Sequence, residues 1–488
     1  MDYKSEYKSK LRTAAEAVQA VKSGDWVEYG GGVVFPTLCD AALAARRDEL
    51  TDVKVRGMLC YGPIQVVESD PEQAHFTYDS WHLTGYERKL ADKGLCYYQP
   101  MLYRNLRWYY DNFLHINVAF IGAAPMDEHG YFNLSIGTGN SRVYIDNADV
   151  VVIEVLEGLP HAYGGQEESV HISEVDMVVE GVHGPAIQLP SRAPSEVDKQ
   201  IASNVIPYLC DGATIQLGIG GVPDALGTMI AESDLKDLGM HTEFATDAFY
   251  RLFAAGKLTN RRKTIDKGKG VFGIAAGTQD LYDWVDCNPG VAAYPISYVN
   301  DPNVIAQLDN FISLNSCVGV DLYGQVSSES SGTRQISGTG GQVDFLTGAT
   351  MSKGGKAFIC MSSTFKDKSG ALKSRVVPVF GGDIVTSPRT QAYYIATEYG
   401  VVNLAGASTW ERAEKLISVS HPDFRDELKK AADSQRIWRK SNKRFAQRGA
   451  VMPLSRGRGN RPGRRRGGRA RGLRTSSRRR AGAWSRAG

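Results

Sequence analysis

The chain carries one short pattern twice: Ser23-Gly24-Asp25-Trp26-Val27-Glu28-Tyr29-Gly30-Gly31-Gly32 and, beginning at residue 211, Asp211-Gly212-Ala213-Thr214-Ile215-Gln216-Leu217-Gly218-Ile219-Gly220. Each copy reads as a short apolar strand that ends in a glycine turn. A helical pattern precedes each copy and another follows it, over Ala14–Val21, Thr37–Arg46, Ser195–Leu209 and Pro223–Ala231. The repeat therefore predicts two similar halves in which strands and helices alternate.

A second echo lies further along each half. It pairs Val118–Ile121 with Cys317–Val320 as apolar strands. An Asp-x-x-Gly turn follows each of them, at Asp127–Gly130 and Asp321–Gly324. Such turns commonly end strands, so the echo supports the prediction of a duplicated fold.

Continuous apolar runs such as Val150–Val155 and Ala357–Cys360 are typical of parallel strands buried on both faces. We therefore expect an α/β fold of two similar open α/β domains, with the active site in the cleft between them, near strand C-termini. The join is placed near Pro190–Pro194, where Pro-Ser-Arg-Ala-Pro breaks the periodicity. The predicted domains are residues 1–190 and 191–443, followed by a tail of residues 444–488.

Length and composition exclude several classes of protein. At 488 residues the chain exceeds a single compact core. No apolar run approaches the roughly 18–20 residues that span a bilayer, and the start, Met1–Glu6, lacks the apolar core of an export signal. The seven cysteines are scattered and form no Cys-x-x-Cys pair, which argues against a disulfide framework or a zinc site. These features favour a cytoplasmic location.

The net charge of +3 combines two unlike parts. From Arg444 to Gly488 the chain has fifteen arginines and no lysine or acidic residue, so this tail holds +15 and the remainder −12. The tail has too little apolar surface to fold, so disorder is predicted. An arginine-rich nucleic-acid arm is one interpretation, although aromatic residues for stacking on bases are scarce. We favour a frameshifted or foreign extension, because Arg, Gly, Ala and Pro dominate GC-rich coding sequence read out of frame.

The glycine turn Gly218-Ile219-Gly220-Gly221 does not have the spacing of a dinucleotide-binding loop, because Asp224 stands where the third glycine belongs. Tyr29–Val34 lacks the Gly-Lys-Ser/Thr ending of a P-loop. The sequence thus argues against NAD and ATP. The turn offers free N–H groups at a helix N-terminus, which can hold a carbonyl oxygen or an anion. Turns that need glycine only for packing are the alternative.

A second glycine loop, Gly338–Phe345, ends in an acid, and His241-Thr242-Glu243 places a carboxylate about a hundred residues earlier. Glycines allow the backbone to approach a ligand with its N–H groups directed at negative charge. A carboxylate that faces such a nest supplies the nucleophile and the oxyanion site that acyl transfer requires. A solvated or capping glutamate is the alternative.

Three longer strings lie around these loops, and together they identify a family. They are Thr214–Leu226, Asn300–Val326 (with Asn315-Ser316 inside it) and Thr397–Ser408. In this order they closely resemble the acetyl-CoA hydrolase/transferase family of class I CoA-transferases. The closest likeness is to the branch of 4-hydroxybutyrate and butyryl-CoA:acetate CoA-transferases. It extends from about Tyr7 to about Lys443.

The resemblance implies that Glu243 is the nucleophile and that CoA is a substrate held covalently as a glutamyl–CoA thioester, with no permanently bound cofactor and no metal. The implied CoA contacts are Gly218, Ile219, Gly220, Gly221, Val222, Asn315, Arg334 and Gly338. The amides of Ile219 and Gly338 are expected to hold the tetrahedral oxyanion. A strand-end cap is the alternative for Asn315, and surface solvation for Arg334. The expected partners are acyl-CoA, short-chain carboxylates and further copies of this chain, with neither membrane nor nucleic acid.

Other polar residues have weaker claims. Asp344 is interpreted as a structural acid that bonds loop amides, and Asp247 as a residue that shapes the site or caps a helix. His129 is interpreted as a turn residue, and Glu398 and Asn403 as packing or interface groups.

The aromatic segment Cys96–Tyr110 contains Arg104 and Arg107. It could line the acyl pocket, or form apolar core with the arginines extended to solvent.

The sequence thus predicts a CoA-transferase that moves CoA between a short-chain acyl-CoA (butyryl, 4-hydroxybutyryl or propionyl) and a small carboxylate such as acetate. An acyl-CoA hydrolase is the rival with the same chemistry. A nucleic-acid-binding protein that uses the basic tail and an inactive α/β scaffold are rivals of other classes.

Overall fold

Strands and helices alternate along the chain. The computed structural model describes residues 2–181, 183–191 and 193–439. The predicted tail, residues 444–488, lies outside these residues, so its disorder and origin stay predictions. None of the helices in the described part of the chain has the length and apolar character needed to span a bilayer.

The strands in chain order are β1 (Leu11–Arg12), β2 (Trp26–Gly31), β3 (Val53–Met58), β4 (Phe76–Ser80), β5 (Tyr97–Tyr98), β6 (Ile116–Ala123), β7 (Tyr131–Asn133), β8 (Ala148–Val155), β9 (Ser169–His171), β10 (Met177–Glu180), β11 (Thr214–Leu217), β12 (Gly239–Ala245), β13 (Gly270–Ala275), β14 (Val291–Ala293), β15 (Ile312–Ser316), β16 (Gly319–Asp321), β17 (Val326–Ser327), β18 (Ser330–Ser331), β19 (Arg334–Gln335), β20 (Lys356–Cys360), β21 (Thr364–Lys366), β22 (Leu372–Ser374), β23 (Val376–Val377), β24 (Tyr394–Thr397) and β25 (Gly400–Asn403).

The α-helices are α1 (Tyr3–Lys10), α2 (Ala14–Ala17), α3 (Thr37–Ala45), α4 (Gln65–Glu68), α5 (Gly85–Asp92), α6 (Leu106–Asn112), α7 (Thr138–Asp146), α8 (Glu196–Val205), α9 (Gly221–Glu232), α10 (Asp247–Ala254), α11 (Gln279–Val285), α12 (Ile296–Val299), α13 (Pro302–Ile305), α14 (Gln342–Met351), α15 (Thr409–Ser418) and α16 (Arg425–Ser434). Two predicted helices end in a 3-10 turn, Val18–Ala20 after α2 and Ile206–Tyr208 after α8.

Two eight-stranded sheets dominate the described residues. The first has the order β1-β10-β8-β6-β2-β3-β4-β5, and the second has the order β25-β24-β20-β15-β11-β12-β13-β14. All neighbours are parallel except β24 and β25, which are antiparallel. If β1 and β25 are set aside, the same order of strands along the chain builds both sheets. The structure therefore confirms two similar open α/β halves, the first built around β2 and the second around β11.

The predicted pairing of the second echo was wrong. β2 pairs with β6 through Val27 and Val118, and β11 pairs with β15 through Ile215 and Ile312. Val118 is therefore equivalent to Ile312, which lies five residues before Cys317, the partner that the echo predicted. Cys317 instead follows β15, and Gly319–Asp321 forms a strand of a separate three-stranded sheet. The two Asp-x-x-Gly turns were correctly equated, because they are separated by the same 194 positions as Val118 and Ile312.

The second half begins where its local sequence predicts. Ser195 starts α8 with a capping box, in which its hydroxyl accepts the Asp198 N–H while Asp198 accepts the Ser195 N–H at 2.9 Å. The segment between Glu180 and Ser195 joins the two sheets. The exact boundary after residue 190 stays a prediction.

Candidate active site

A cavity of about 1110 Å³, including its open mouth, lies between the two halves. Its wall is made by strand ends and by the two glycine segments. The first half contributes Met58, Leu59, Trp81, His82, Met101 and Tyr103. The second half contributes Gln216, Leu217, Gly218, Ile219, Glu243, Phe244, Asn315, Ser316, Ser328 and Ser337–Phe345 in part. The cleft between the halves is thus where the fold class predicts the site.

Glu243 is a carboxylate of β12 that lines this cavity. Its strand lies inside the second sheet, between β11 and β13, and His241 and Thr242 before it are fully buried. Glu243 itself is only partly buried, because it lies near the strand's C-terminal end, where the sheet opens into the cavity.

Two donors hold the Glu243 carboxylate. Asn300 Nδ2 donates to Glu243 Oε2 at 2.6 Å, and the Gly341 N–H donates a second hydrogen bond. Gly341 is the N-cap of α14, so the positive end of this helix faces the carboxylate. Burial nevertheless raises the pKa of Glu243 to about 7, while the bonds from Asn300 and Gly341 act in the opposite direction. The bond from Asn300 holds Glu243 Oε2 in place, and the raised pKa lies close to the pH of the cell.

The turn after β11 lies at the same cavity. Gly218 and Ile219 line it, and the Ile219 side chain is 55% exposed. Gly220 has a φ of 125°, which favours glycine, and it is the N-cap of α9. Gly220, Gly221 and Val222 follow at the start of that helix and are not among the cavity-lining residues. The predicted strand, turn and helix are thus present, with the first two residues of the turn directed at the cavity.

The glycine loop, defined from here on as residues 334–341, overlaps the predicted segment Gly338–Phe345 and lines the cavity as well. Gly338 is packed so closely on the first half that an added Cβ would lie 2.4 Å from the Trp81 carbonyl oxygen. Within the described residues, neither the Ile219 N–H nor the Gly338 N–H donates a hydrogen bond to another group. Two free amides and a carboxylate around one cavity are the elements that an acyl-transfer site needs.

Of the other two predicted CoA contacts, Asn315 lies at the cavity and Arg334 does not. Asn315 lines the cavity, and its Nδ2 donates to Ser313 Oγ at 2.8 Å. Arg334 is exposed outside the cavity lining and forms a two-pronged ion pair with Asp92 of the first half, at 2.6 Å for both contacts. The role of Arg334 in CoA binding stays a prediction.

Asp344 does not bond its own glycine loop as expected. It is fully buried and accepts from Arg104 Nη1 at 2.6 Å, which joins α14 to the first half. Burial raises the pKa of Asp344 to about 7, against the lowering effect of Arg104. Asp247, the second weak candidate, accepts the Thr278 N–H and hydroxyl at 2.9 Å each and does not line the cavity.

The aromatic segment Cys96–Tyr110 contributes to the cavity wall, and its role in an acyl pocket stays a prediction. Its two arginines pair with acidic residues and are not extended to solvent. Met101 and Tyr103 line the cavity, whereas Arg107 pairs with Asp146 and Glu167 on another face.

The remaining weak candidates lie away from the cavity. His129 is an exposed turn residue, as expected, whose N–H donates to Asp127 at 2.9 Å. Glu398 accepts from the N–H and hydroxyl of Ser363, and Asn403 accepts the Ala405 N–H.

Two polar residues at the site, Asn300 and His82, had no role predicted from the sequence. Asn300 contacts Glu243, and a signal existed, since Asn300 opens one of the family-like strings. His82 lines the cavity and lies next to Ser337, with Nε2 and the hydroxyl 3.0 Å apart. Burial lowers the pKa of His82 to about 4, so its imidazole is neutral at pH 7. No local pattern distinguishes His82 from a core histidine.

Comparison with known proteins gives the same family in both halves. Residues 1–186 match the acetyl-CoA hydrolase/transferase N-terminal domain, and residues 277–432 match the C-terminal domain. The chain is 50% identical over 446 residues to a butyryl-CoA:acetate CoA-transferase of Anaerostipes caccae, covering 91% of this chain and 100% of that protein. It is 49% identical over 439 residues to a probable butyrate:acetyl-CoA coenzyme A-transferase of Syntrophomonas wolfei, covering 90% and 98%.

A solved structure extends this likeness to the fold. RipA from Yersinia pestis superposes with a TM-score of 0.83 at 34% identity, over 90% of this chain and 100% of RipA. Sequence identity, the superposition and the matched domains all point to one relationship. The chain therefore belongs to the acetyl-CoA hydrolase/transferase family.

Proposed function

We propose that this protein transfers CoA between a short-chain acyl-CoA and a small carboxylate, through a thioester on Glu243. The observation that carries the proposal is the Glu243 carboxylate, which lines the cavity between the halves and is held by Asn300 and the Gly341 N–H. A carboxylate fixed in this way has the geometry of a nucleophile rather than of a solvated surface acid. The CoA-transferase names of the two relatives support the same reaction.

The first half-reaction needs two displacements at carbonyl carbons. A Glu243 oxygen attacks the acyl-CoA thioester carbon, the C–S bond breaks, and an acyl–glutamyl anhydride and CoA thiolate result. The thiolate then attacks the glutamyl carbonyl carbon, which forms the glutamyl–CoA thioester and releases the acyl group as a carboxylate. An incoming carboxylate reverses both steps, so the thioester bond is conserved and no oxidant, reductant or metal takes part.

Each displacement passes through a tetrahedral oxyanion that requires donors. We propose the unpaired N–H groups of Ile219 and Gly338 for this role, because they belong to the two glycine segments that line the cavity with Glu243. Donors of this kind are worth about 3–4 kcal/mol each in other enzymes. Gly218–Val222 and Asn315 are proposed to contact CoA on the same side of the cavity.

Butyryl-CoA and acetate are the proposed substrates, since both relatives are named for butyrate or butyryl-CoA together with acetate or acetyl-CoA. The cavity offers an apolar wall for a short acyl chain in Met58, Trp81, Met101 and Tyr103. 4-Hydroxybutyryl-CoA and propionyl-CoA are the rivals to be compared in the same assay. A cytoplasmic location and a homo-oligomer stay predictions.

The direct test is to incubate the protein with butyryl-CoA in the absence of acetate and to analyse its peptides by mass spectrometry. We expect a CoA adduct on the peptide that contains Glu243. Glu243→Gln should form no adduct and should lose turnover by several orders of magnitude. Glu398→Gln is the matched control, because Glu398 is also partly buried with two donors but lies outside the cavity. An adduct on Asp344 or Glu398 would refute the assignment.

Kinetics separate transfer from hydrolysis. A glutamyl–CoA intermediate predicts parallel initial-rate plots for butyryl-CoA and acetate, the ping-pong pattern. Intersecting plots would contradict the mechanism. Butyrate release that continues at the same rate without acetate would show that water is the acceptor and that the protein is a hydrolase.

A further inference from the structure

The glycine loop belongs to the second half, yet side chains of the first half hold it. Arg88 Nε donates to the Ile336 carbonyl at 2.7 Å, and His82 contacts the Ser337 hydroxyl at 3.0 Å. The other two contacts are the Asp92–Arg334 ion pair and a hydrogen bond that the Thr339 N–H donates to the Tyr98 hydroxyl. All four side chains come from the segment Trp81–Tyr98, which contains α5 and β5. The first half therefore determines how this loop is presented to the cavity.

Tyr98 bonds Thr339, the residue that follows Gly338. Its hydroxyl oxygen accepts the Thr339 N–H at 3.1 Å and lies 3.2 Å from Thr339 Oγ1. Thr339 Oγ1 donates its own proton to Glu329 Oε2 at 2.9 Å. The Tyr98 hydroxyl must therefore donate to Thr339 Oγ1, since that oxygen has only its lone pairs left. The hydroxyls of Tyr98 and Thr339 thus each donate in one defined direction, and the Thr339 N–H is directed at the Tyr98 oxygen.

This contact limits the orientation of the neighbouring amide. The Ser337 carbonyl, on the other side of Gly338, accepts from Gln335 Nε2 at 3.0 Å. In a trans peptide the carbonyl and the N–H point in opposite directions, so the Gly338 N–H points away from Gln335. Gly338 lines the cavity, and within the described residues its N–H has no partner. Both peptides of Gly338 are thus fixed by bonds that leave its N–H free.

We infer that Tyr98 is a positioning residue for the transfer reaction: its hydroxyl holds Thr339 so that the Gly338 N–H is directed at the developing oxyanion. This inference rests on the proposed function. Tyr98 does not line the cavity, so it acts through Thr339 and not on the substrate. A donor required chiefly in the transition state affects kcat and leaves substrate binding unchanged.

The test compares Tyr98→Phe with Tyr97→Phe. Both changes remove one hydroxyl from β5, but the Tyr97 hydroxyl donates to Gln73 at 3.0 Å, away from the loop, and Tyr97 is 49% exposed. We expect Tyr98→Phe to lower kcat by about tenfold, less than the loss of a whole oxyanion donor. KM for butyryl-CoA should stay within about twofold, and Tyr97→Phe should match the wild type. Unchanged kcat in Tyr98→Phe, or an increase confined to KM, would overturn the inference.

A second measurement distinguishes a slower reaction from a folding defect, and failure of this inference from failure of the proposed function. In rapid-quench experiments the wild type should form the Glu243 adduct, and Tyr98→Phe should reach the same final amount of adduct about tenfold more slowly. No adduct in the wild type refutes the proposed function, whereas adduct formation at the wild-type rate in Tyr98→Phe refutes only this inference. Thr339→Val removes the Oγ1 that faces the Tyr98 hydroxyl but keeps the Thr339 N–H bond, so it should slow the reaction less in the Tyr98→Phe background than in the wild type. Additive losses would also contradict the inference.

Discussion

Met58 occupies in the first half the position that Glu243 occupies in the second. β3 pairs with β2 in the same register in which β12 pairs with β11. The equivalent pairs are Trp26 with Lys54 and Thr214 with Gly239. Four residues beyond the second member of each pair stand Met58 and Glu243, and both side chains line the cavity. The two halves therefore present equivalent strand ends to one site.

The contacts of these two side chains correspond as well. Asn140, in the first turn of α7, donates Nδ2 to Met58 Sδ at 3.2 Å, and the Gly341 N–H at the start of α14 donates to Glu243. A thioether cannot form an anhydride with an acyl group, so the first half has an equivalent strand end without the carboxylate that we propose as the nucleophile. We expect one transfer site for each pair of halves.

The rate should depend on pH through Glu243, which must be ionised to attack. Burial raises the pKa of Glu243 to about 7. We therefore expect kcat/KM for butyryl-CoA to be constant above about pH 8 and to fall roughly tenfold for each pH unit well below 7. A profile that stays flat down to pH 5 would show that the carboxylate is not buried in the free enzyme.

The same pKa predicts how Glu243→Gln affects stability. A carboxyl with a raised folded-state pKa binds its proton more tightly in the folded protein, so the free energy of unfolding decreases as pH rises from the unfolded pKa towards 7. Glutamine removes this cost of ionisation. Glu243→Gln should therefore have a higher Tm than the wild type at pH 8, and the difference should shrink towards pH 5. A lower Tm than the wild type at pH 8 would contradict the assigned burial cost.

Asn300 should lower the pKa of Glu243, because its Nδ2 bonds the ionised form at 2.6 Å. Asn300→Ala removes this donor, and hydrogen bonds to charged groups contribute about 1.5–3 kcal/mol. We expect the acidic limb of the kcat/KM profile to move to higher pH by about one to two units and the rate at pH 7 to fall about five- to fiftyfold. Asn303→Ala is the control, since the exposed Asn303 side chain donates to Asp301 and does not contact Glu243. An unshifted profile in Asn300→Ala would refute this role.

The two glycine segments could be predicted from the sequence, because amide turns leave local patterns. Glu243 is singled out by the resemblance to the family, and its role as the nucleophile stays a proposal. The assembly of all three in one cavity followed from the duplicated fold. The partners across the cleft could not be predicted in the same way. Arg334 forms an ion pair with Asp92, and Arg104 forms one with Asp344. In each pair the two residues belong to different halves and lie about 240 positions apart in the chain. Such pairs depend on how the two halves pack against each other, and the local periodicity of the sequence does not predict that packing.

The register of the second echo shows the same limit. Val118–Ile121 and Cys317–Val320 look alike as apolar runs, but only a constant spacing between repeats identifies true equivalents. The two Asp-x-x-Gly turns lie 194 positions apart. The same spacing makes Ile312–Asn315 the equivalent of Val118–Ile121, in agreement with the strand pairing. A short apolar run is common, whereas a turn with an acid and a glycine at fixed positions is more specific.

The tail can be tested separately. Residues 444–488 hold +15, and no candidate site residue lies among them. A chain that ends at Lys443 should keep transferase activity within about twofold and lose any salt-sensitive binding to nucleic acid. The measurements are the acetate-dependent rate and a DNA-binding titration at two salt concentrations. Loss of turnover in a folded truncated protein would show that the tail contributes to the reaction.

Gly341→Ala gives the sharpest test of the contact between α14 and Glu243. Gly341 has a φ of −101°, which alanine adopts without strain, so the backbone itself tolerates the change. The added Cβ, however, would lie 2.1 Å from Glu243 Oε2 and 2.0 Å from Asn300 Nδ2, and must displace both. A shift of about 1 Å at a reacting group can cost on the order of a hundredfold, so we expect kcat to fall at least that far. Gly381→Ala is the control, because an added Cβ there meets no atom within 4 Å. Near-normal transfer by Gly341→Ala, with Glu243→Gln inactive, would mean that the carboxylate does not react from the position seen here.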